Sequence, residues 1–404
     1  MRVLLSSGRR VGMAVLLLAP ALRAQGSAAP NAPVPGGDPS VAAPESGLAR
    51  SIAVRLGYFD QSDSGDGNPF LDESLTVIEP IVVLDWDVSR DLGYTLKVAY
   101  DNVSSASIDR LSDYPDQSGA SGDFWYGLEF GMRHRLDDVW RAGWHVGASA
   151  EYDYRSIKAG GELQWTPNDD RDASVTTSLD LFLDQIDVIR FNGTEDGSDS
   201  RTSIASTTQW HQVLSPRMHG IFGATLAYQT GFLETAYNGV VVEDGATPPF
   251  PFDNGALGTE IAEELPDSRA RIALFGRVRR QLTEGTALEL GARLYGDDWG
   301  VTSVAFEPRL YQTLVRDRLL LRLRYRYYTQ SEADDYYESL PGAAPVPRFR
   351  TSDSELGAYD AHSFGVKFLW YSRGAWEFDV GLDQVISGDG LDSTLATVGY
   401  KLHL

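Results

Sequence analysis

The sequence predicts an all-β fold: a single transmembrane antiparallel β-barrel of about sixteen strands, with both termini on the periplasmic side. Three observations predict this fold. Long segments alternate strictly between apolar and polar residues, longer and shorter connections mostly alternate along the chain, and tryptophans gather beside the shorter connections. A period of two places alternate residues on opposite faces of a pleated strand.

The alternation is clearest over Ser268–Gln330, which reads as four consecutive strands. In the fourth, Leu319, Leu321 and Leu323 alternate with arginines, so one face is apolar and the other is charged. In a soluble sandwich the apolar face would form the core. In an outer-membrane barrel it would contact lipid, and the arginines would line a wet lumen. The local pattern is consistent with both folds, and the rest of the chain favours the barrel.

The N-terminus predicts export. Arg2, Arg9 and Arg10 precede the apolar run Val11–Ala21, which is typical of a secretory signal peptide over residues 1–24 and too short to span a bilayer. Residues 25–48 are rich in Pro, Ala and Gly and predict a linker, and the barrel is expected over 49–404. An exported chain without an apolar helix can enter a membrane only as a closed barrel.

Charge and composition narrow the functional classes. The formal net charge is −22, and the signal segment carries four arginines and no acid, so its removal takes the charge to −26. This charge argues against nucleic-acid binding. The chain has no cysteine, which rules out disulfides, thiol chemistry and a lipoprotein anchor.

The remaining strands follow the same alternation. They are expected at about Ala49–Asp60, Ser74–Val88, Tyr94–Ser104, Phe124–Arg135, Trp140–Tyr154, Lys158–Thr166, Ala173–Val188, Ser203–Leu214, Met218–Leu233, His362–Tyr371, Trp376–Ile386 and Thr394–Leu404. Tight turns on the periplasmic side and long loops outside are the topology of outer-membrane barrels. Two outer connections, near Ile157 and at DDWG, are also short.

Aromatic residues and the last strand support the barrel. The tryptophans beside tight turns predict an interfacial girdle; they are Trp86, Trp140, Trp165, Trp370 and Trp376. The chain ends in an alternating strand of the kind that barrel-insertion machinery reads, although Leu404 stands where a terminal aromatic is usual.

The charged face supplies the candidate functional residues. If the apolar face meets lipid, the pore-lining residues are expected to be Arg271, Arg277, Arg279, Arg293, Arg309, Arg322, Arg324, Arg326, Asp180, Asp184, Asp379 and Asp383. A basic wall facing acids across a water-filled constriction would sort solutes by charge. Alternatively, the arginines pair with neighbours such as Glu289 and Glu307 and fill a lumen with no open path.

Other sites have less support. The acidic loops Asp60–Asn68 and Thr194–Ser200 suggest calcium, but neither has the spacing of a dedicated calcium loop. The loop Glu234–Asp267 is unusually apolar; it could fold inward, pack on the rim or bind a partner. The six histidines show no metal spacing, and His145 or His211 beside a serine is the weak case for a hydrolase. We expect no enzyme activity, no metal and no cofactor.

Several motifs resemble a known family. The motifs are ELPDSR (Glu264–Arg269), DDWG (Asp297–Gly300), RYYTQSEADDYY (Arg326–Tyr337), QVLSPR (Gln212–Arg217) with the following LAYQTGFLETAYNGV, and ESLTVIEP near Glu73. They are similar to those of an uncharacterised bacterial outer-membrane barrel family, known only as a domain of unknown function. The similarity covers roughly Gly57 to Leu404. The family has no established activity, so the resemblance implies the barrel and assigns no site. It also implies association with a small lipoprotein and a flavin-attaching transferase.

The expected function is a porin-like conduit in the cell outer membrane for small polar or anionic solutes, with the arginine wall as its selectivity element. The alternative is a plugged structural or assembly barrel that anchors a periplasmic or surface partner. The partners expected in either case are outer-membrane lipid and lipopolysaccharide, the barrel-insertion machinery and a small lipoprotein.

Overall fold

The computed structural model describes residues 49–64, 74–105, 123–167, 172–191, 194–246, 258–372 and 375–404. Sixteen antiparallel strands close into one barrel, which confirms the predicted fold class. Within the described residues, no helix is long and apolar enough to cross a membrane. The predicted signal peptide and linker lie outside the described residues, and the periplasmic position of the termini stays a prediction.

Eighteen strands are described, sixteen in the barrel and two in a loop. They are β1 Arg50–Asp63, β2 Leu75–Asp87, β3 Leu92–Ser105, β4 Asp123–Arg135, β5 Trp140–Ala150, β6 Tyr154–Trp165, β7 Ala173–Ile189, β8 Glu195–Ser215, β9 Met218–Gly231, β10 Gly239–Glu243, β11 Gly258–Ala262, β12 Ser268–Gln281, β13 Thr286–Asp297, β14 Thr302–Val315, β15 Leu319–Gln330, β16 Tyr359–Tyr371, β17 Trp376–Ser387 and β18 Leu391–His403.

Each barrel strand pairs with its neighbour in the chain, and β1 pairs with β18 to close the ring. The strands β10 and β11 pair only with each other, so β9 lies directly beside β12. The connection between β5 and β6 comes earlier than predicted, because the Glu151 N–H donates to the Tyr154 carbonyl at 2.7 Å. The strand β8 starts at Glu195 rather than Ser203, because its polar first residues pair with β7 and leave no apolar alternation to detect.

The apolar face points outward. In β12, Ile272 and Leu274 are 47% and 49% exposed, whereas Arg271 and Ala273, which alternate with them, are 7% and 3% exposed. Leu179, Leu181 and Leu183 of β7 are likewise exposed, whereas Asp180 and Asp184 on the other face of the strand are buried. The leucines therefore lie on the outside of a closed ring and the ionised groups on the inside, which contradicts the two-layer sandwich with an apolar core.

Aromatic side chains form a band at the short-turn end. Trp86 contacts Tyr94, and Phe130 links Tyr94 to Trp144, with ring centroids 5.6 to 5.8 Å apart. The other predicted tryptophans also meet rings on neighbouring strands; the pairs are Trp140–Trp165, Trp370–Phe378 and Trp376–Tyr400. Aromatic rings at one level of an apolar outer wall are what a membrane interface favours.

Glycines on the inner wall lie beneath ion pairs. Gly365 in β16 is opposite Arg324 in β15 on one side and Asp383 in β17 on the other. Arg324 Nη1 and Asp383 Oδ1 are 2.9 Å apart, so the pair crosses the glycine. Strands lie about 4.8 Å apart, so partners two strands apart must reach across the strand between them. Only a residue without a Cβ leaves that path open.

Among the described residues we find this arrangement at five glycines, and we call them the bridged glycines. Each has an acid opposite it on one side and a base opposite it on the other, and the two form an ion pair over it. Besides Gly365 they are Gly93 between Asp87 and Arg133, Gly147 between Glu129 and Lys158, Gly160 between His145 and Asp180, and Gly399 between Asp379 and Arg55. Long ionised side chains are thereby held along the wall.

Loops at the other end of the barrel form a small folded unit, which we call the cap. In the described residues it comprises 232–246, 258–267, 297–301 and 331–358. These ranges belong to three loops, the first two being parts of the same one, and all three loops contribute to the apolar centre. Its buried residues are Leu233, Leu265, Trp299, Val301, Ala333 and Leu356. A backbone bridge joins Val242 to Leu340. The described part of the loop Glu234–Asp267 therefore packs against neighbouring loops on the rim, one of its three predicted arrangements, and residues 247–257 lie outside the described residues.

A buried ion pair attaches the cap to the barrel. Arg269 Nε donates to Asp297 Oδ2 at 2.9 Å, and the guanidinium lies 4.3 Å from the centre of the Trp299 ring. Gly300 follows with φ of +91°, where a Cβ would meet the Asp334 carboxylate. Both ELPDSR and DDWG supply residues to this junction.

Two buried carboxylates join separate loops of the cap. Glu263 and Asp353 are 2% and 4% exposed, and Thr235 contacts both: its N–H donates to Glu263, and its hydroxyl donates to Asp353 Oδ2 at 3.1 Å. Burial, with the negative charge of Asp353 as the second cause, raises the pKa of Glu263 well above its usual value.

The bridged glycines give a stability test. Gly365→Ala places a Cβ against the Asp383 carboxylate and within 3.3 Å of Arg324 Cβ, so the ion pair must shift. We expect the free energy of unfolding to fall by about 1–3 kcal/mol, the usual cost of an overpacked site, measured by urea unfolding in detergent. The control is Gly131→Ala, also on the inner wall, where the nearest atom to the new Cβ is 3.6 Å away. Equal stability of the two variants would contradict the role given to Gly365.

The carboxyl pair predicts a pH dependence of the cap. Because the folded-state pKa of Glu263 is raised, its contribution to stability is present at low pH and is lost as pH rises through that pKa. We expect amide hydrogen exchange in 258–267 to accelerate between acidic and neutral pH, beyond the intrinsic change in chemical exchange rate. Glu263→Gln should remove that extra acceleration, and Glu264→Gln, beside it but partly exposed, should keep it. An excess acceleration that survives in Glu263→Gln would show that another group controls the cap.

Candidate functional site: the charged inner wall

All twelve predicted pore-lining residues lie on the inward face of their strands. Arg271 and Arg322 are buried beside exposed Ile272 and Leu323, and the other six arginines of β12–β15 share that face. The four acids, from β7 and β17, likewise alternate with apolar residues that are exposed on the outside. The period of two therefore identified the correct face for the whole set.

Three of the arginines belong to a neutral network. Glu289 accepts from Arg279 at 2.7 Å and from Arg309 at 2.9 Å. Arg309 also pairs with Glu307, which accepts from Arg324 at 2.9 Å, and Arg324 in turn reaches Asp383. These three arginines and three carboxylates alternate in sign and balance one another, and Arg277 lies on the same face of β12 with Glu289 as its acidic neighbour. For these arginines, the alternative in which charges pair with Glu289 and Glu307 is the arrangement found.

The predicted acids are also engaged along the wall. Asp180 lies 2.9 Å from His145 Nε2, and Asp184 lies 2.9 Å from Arg201 Nε. Asp379 pairs with Lys367 and lies 3.6 Å from Arg55. These four basic partners were missed, because alternation shows which face a residue occupies but not which residue stands opposite. A search for acid, glycine and base at matching positions of three consecutive strands would have found two of them.

Four predicted arginines lack a counter-ion among the described residues: Arg271, Arg293, Arg322 and Arg326. We call them the unpaired arginines. Arg326 lies over the Tyr328 ring at 5.2 Å, and the Nε atoms of Arg271 and Arg322 are buried without a hydrogen bond. They lie on β12, β13 and β15, so one sector of the inner wall carries excess positive charge.

An acid lies on the opposite wall. Glu79 of β2 is 5% exposed, and its Oε2 has no hydrogen bond. The strand β2 is half of the ring away from β12. Glu79 lies eight residues from the short-turn end of its strand, and Arg293 and Arg326 each lie seven from theirs. The Glu79 carboxyl, with Lys97 and Arg55 among its charged neighbours, thus lies across the barrel from Arg293 and Arg326 at similar depth.

The described parts of the chain give little support for a metal site or for a calcium-binding loop. No group of three or more His, Asp or Glu there could hold a metal ion. The acidic segment Thr194–Ser200 is mostly the start of β8, and the loop Asp60–Asn68 lies partly outside the described residues. His362 Nδ1 lies 2.8 Å from the Tyr325 hydroxyl, and His403 Nε2 lies 2.8 Å from Glu377.

Solved structures with the same architecture are outer-membrane barrels. A bacterial polysaccharide outer membrane secretin matches with a TM-score of 0.50 and 10% identity, over 88% of this chain and 98% of that chain. The outer membrane protein opdK of Pseudomonas aeruginosa matches with a TM-score of 0.42 and 9% identity, over 89% and 98%. A mutant of the ferric enterobactin receptor PfeA from the same species gives 0.43 and 10%, over 83% and 53%. At these identities the likeness concerns the fold alone.

A family comparison is more direct. No curated protein matches the chain. The model of the family described as "protein of unknown function (DUF3570)" matches residues 123–386, from β4 to the penultimate residue of β17. This confirms the resemblance to an outer-membrane barrel family of unknown function. The chain, an outer-membrane-type β-barrel with a charged inner wall, therefore belongs to the DUF3570 family.

Proposed function

We propose that the protein is a conduit in a bacterial outer membrane through which small anionic solutes diffuse. The observation that carries the proposal is the set of four unpaired arginines on one sector of the inner wall. Sixteen-stranded barrels are wide enough to leave an aqueous channel. Excess positive charge along such a channel raises the local concentration of anions and lowers that of cations.

The arrangement of the paired groups supports the same function. The ion pairs described above join adjacent strands, or strands two apart with one strand between them. Ionised side chains are therefore held along the wall and do not reach the opposite side of the ring. Neutral pairs contribute little to the field at the centre. The field then depends chiefly on the unpaired arginines, which would attract an anionic solute.

This mechanism requires no catalytic group and no cofactor. The protein would contact outer-membrane lipid and lipopolysaccharide through its apolar wall and aromatic bands, and the insertion machinery through β18. A small lipoprotein is a further proposed partner. The polysaccharide named for the secretin does not identify the solute of this chain, because that likeness extends to the fold alone.

A second candidate is a plugged barrel that anchors another protein. The observation that favours it is the low exposure of the inner wall: the side chains of Arg324 and Lys367 are only 8% and 5% exposed. A folded cap on the rim also offers a surface for a partner. The two functions differ in conductance, since a plugged barrel would pass no ions.

The conduit proposal gives a selectivity test in planar bilayers. The purified barrel should open in discrete steps and prefer chloride to potassium. Replacing both Arg293 and Arg326 with Gln should lower the anion-to-cation permeability ratio by up to about sevenfold per charge, because a charge about 7 Å from an ion in water attracts an anion by about 0.6 kcal/mol and repels a cation by the same amount. The effect should weaken as salt increases.

Arg280→Gln is the control, because it makes the same Arg-to-Gln change at one exposed residue, at the short-turn end of β12. Its selectivity should equal that of the wild type. Silent bilayers would favour the anchor, and an unchanged permeability ratio in the double variant would remove the unpaired arginines from the mechanism.

A further inference from the structure

One of the unpaired arginines lies in surroundings unlike those of the rest. Arg271 is near the cap end of β12, two residues from Arg269, and only 7% of its surface is exposed. Its Nε and Nη1 atoms are buried and make no hydrogen bond. A buried guanidinium without an acceptor is strongly unfavourable unless an anion or water occupies that position.

The carboxylate opposite Arg271 is already fully used. Asp297 stands directly across from Arg271 in the β12–β13 register. Its Oδ2 accepts from Arg269 and from the Tyr295 hydroxyl, the latter at 2.6 Å. Its Oδ1 accepts from the N–H groups of Trp299 and Val301 at 3.1 and 3.0 Å. Asp297 is thus engaged in holding the cap, and neither Nε nor Nη1 of Arg271 donates a hydrogen bond to it.

On the other side of Arg271 the buried polar groups of β9 and β8 hydrogen-bond to one another: Gln229 Nε2 donates to Ser203 Oγ, and the hydroxyls of Thr207 and Thr225 lie 3.0 Å apart. The residues that follow Arg271 across β9 and β8 are Ala227 and Ala205, whose methyl groups cannot accept a hydrogen bond. The next residue in that row is Asp180, which pairs with His145. Further along β8, Arg201 is held by Asp184 and by the Tyr154 hydroxyl.

The three arginines near the cap end of β8 and β12 have two carboxylates paired with them, which leaves one excess positive charge. Arg269 is balanced by Asp297 and Arg201 by Asp184, whereas Arg271 has no balancing group. Guanidinium groups bind carboxylate and phosphate through parallel N–H bonds, and the fork is formed by Nη2 together with either Nε or Nη1.

We propose that Arg271 is the centre of an oxyanion-binding site beneath the cap, which takes a single carboxylate or phosphate group. The guanidinium N–H groups, which have no partner among the described residues, supply the hydrogen bonds through Nη2 with either Nε or Nη1, and the excess charge supplies the attraction. Binding itself does not depend on the conduit. Its role as the first binding site for an anion that enters the barrel rests on the proposed function.

Thermal unfolding of the full-length barrel in detergent tests the site. The protein is refolded without lipopolysaccharide, so that no lipid phosphate is present. Sodium phosphate or sodium acetate is titrated against sodium chloride at matched ionic strength. A ligand that binds only the folded state raises Tm in a saturable manner. We expect a rise of several degrees for phosphate, acetate or both, and none for chloride.

Variants assign the effect to the residue. Arg271→Gln should abolish the oxyanion-dependent rise, and Arg271→Lys should keep a weaker one, because it retains the charge and loses the fork. Arg280→Gln, on the same strand but exposed, should behave as the wild type. The absence of a rise in the wild type overturns the site even if Arg271→Gln fails to fold. A rise that persists in Arg271→Gln overturns it as well.

The site and the conduit can fail separately. A conducting, anion-selective barrel without the oxyanion-dependent Tm rise would refute the site alone. A Tm rise that requires Arg271, in a protein that never conducts, would refute the conduit and leave the site in place.

Discussion

The architecture depends on the need of inward charges for partners on a wall that, in the described residues, is mostly polar and whose apolar cluster, Phe59, Val77 and Leu395, is small. Unpaired ions on a wall of limited exposure are costly, and a partner on the adjacent strand is not always available. The bridged glycines solve this by letting an acid and a base two strands apart meet over the strand between them. This requires Gly, acid and base to stand in one row on three strands, so a shift of β16 by one residue would move Gly365 from beneath the Arg324–Asp383 pair. The ion pairs thus specify register as well as contributing to stability.

The two ends of the barrel differ for related reasons. At the short-turn end, aromatic rings on neighbouring strands pack on the outside, and the wall needs no further cover. At the other end, three loops fold together around Trp299 and Leu356, and the pair Arg269–Asp297 attaches them to β12 and β13. This attachment has a consequence inside the barrel, because Asp297 is committed to the cap and Arg271 is left with excess charge.

The sequence predicted which face each candidate residue occupies, and there is a physical reason why it did not predict the pairing of these residues. Alternation identified the inward face of every candidate, from Asp180 to Arg326, because a strand repeats every two residues whatever surrounds it. It did not reveal that Arg324 is neutralised by Glu307 and Asp383 while Arg326 is not, since pairing depends on register between distant strands. The hairpin β10–β11 was also missed, because Val240 and Val241 are buried together without alternation. The motif ELPDSR carried the family resemblance without showing that Arg269 would meet the DDWG turn.

The central claim is that the apolar side of the ring faces lipid and the ionised side faces water. The chain contains no cysteine, so a single introduced thiol reports its own surroundings. The most direct measurement is the reaction rate of a charged, water-soluble thiol reagent with Arg326→Cys and with Leu323→Cys in lipid vesicles. Leu323 is outward and Arg326 inward on the same strand, β15. The account predicts rapid modification of Arg326→Cys and very slow modification of Leu323→Cys. Rapid modification of Leu323→Cys with protection of Arg326→Cys would contradict it.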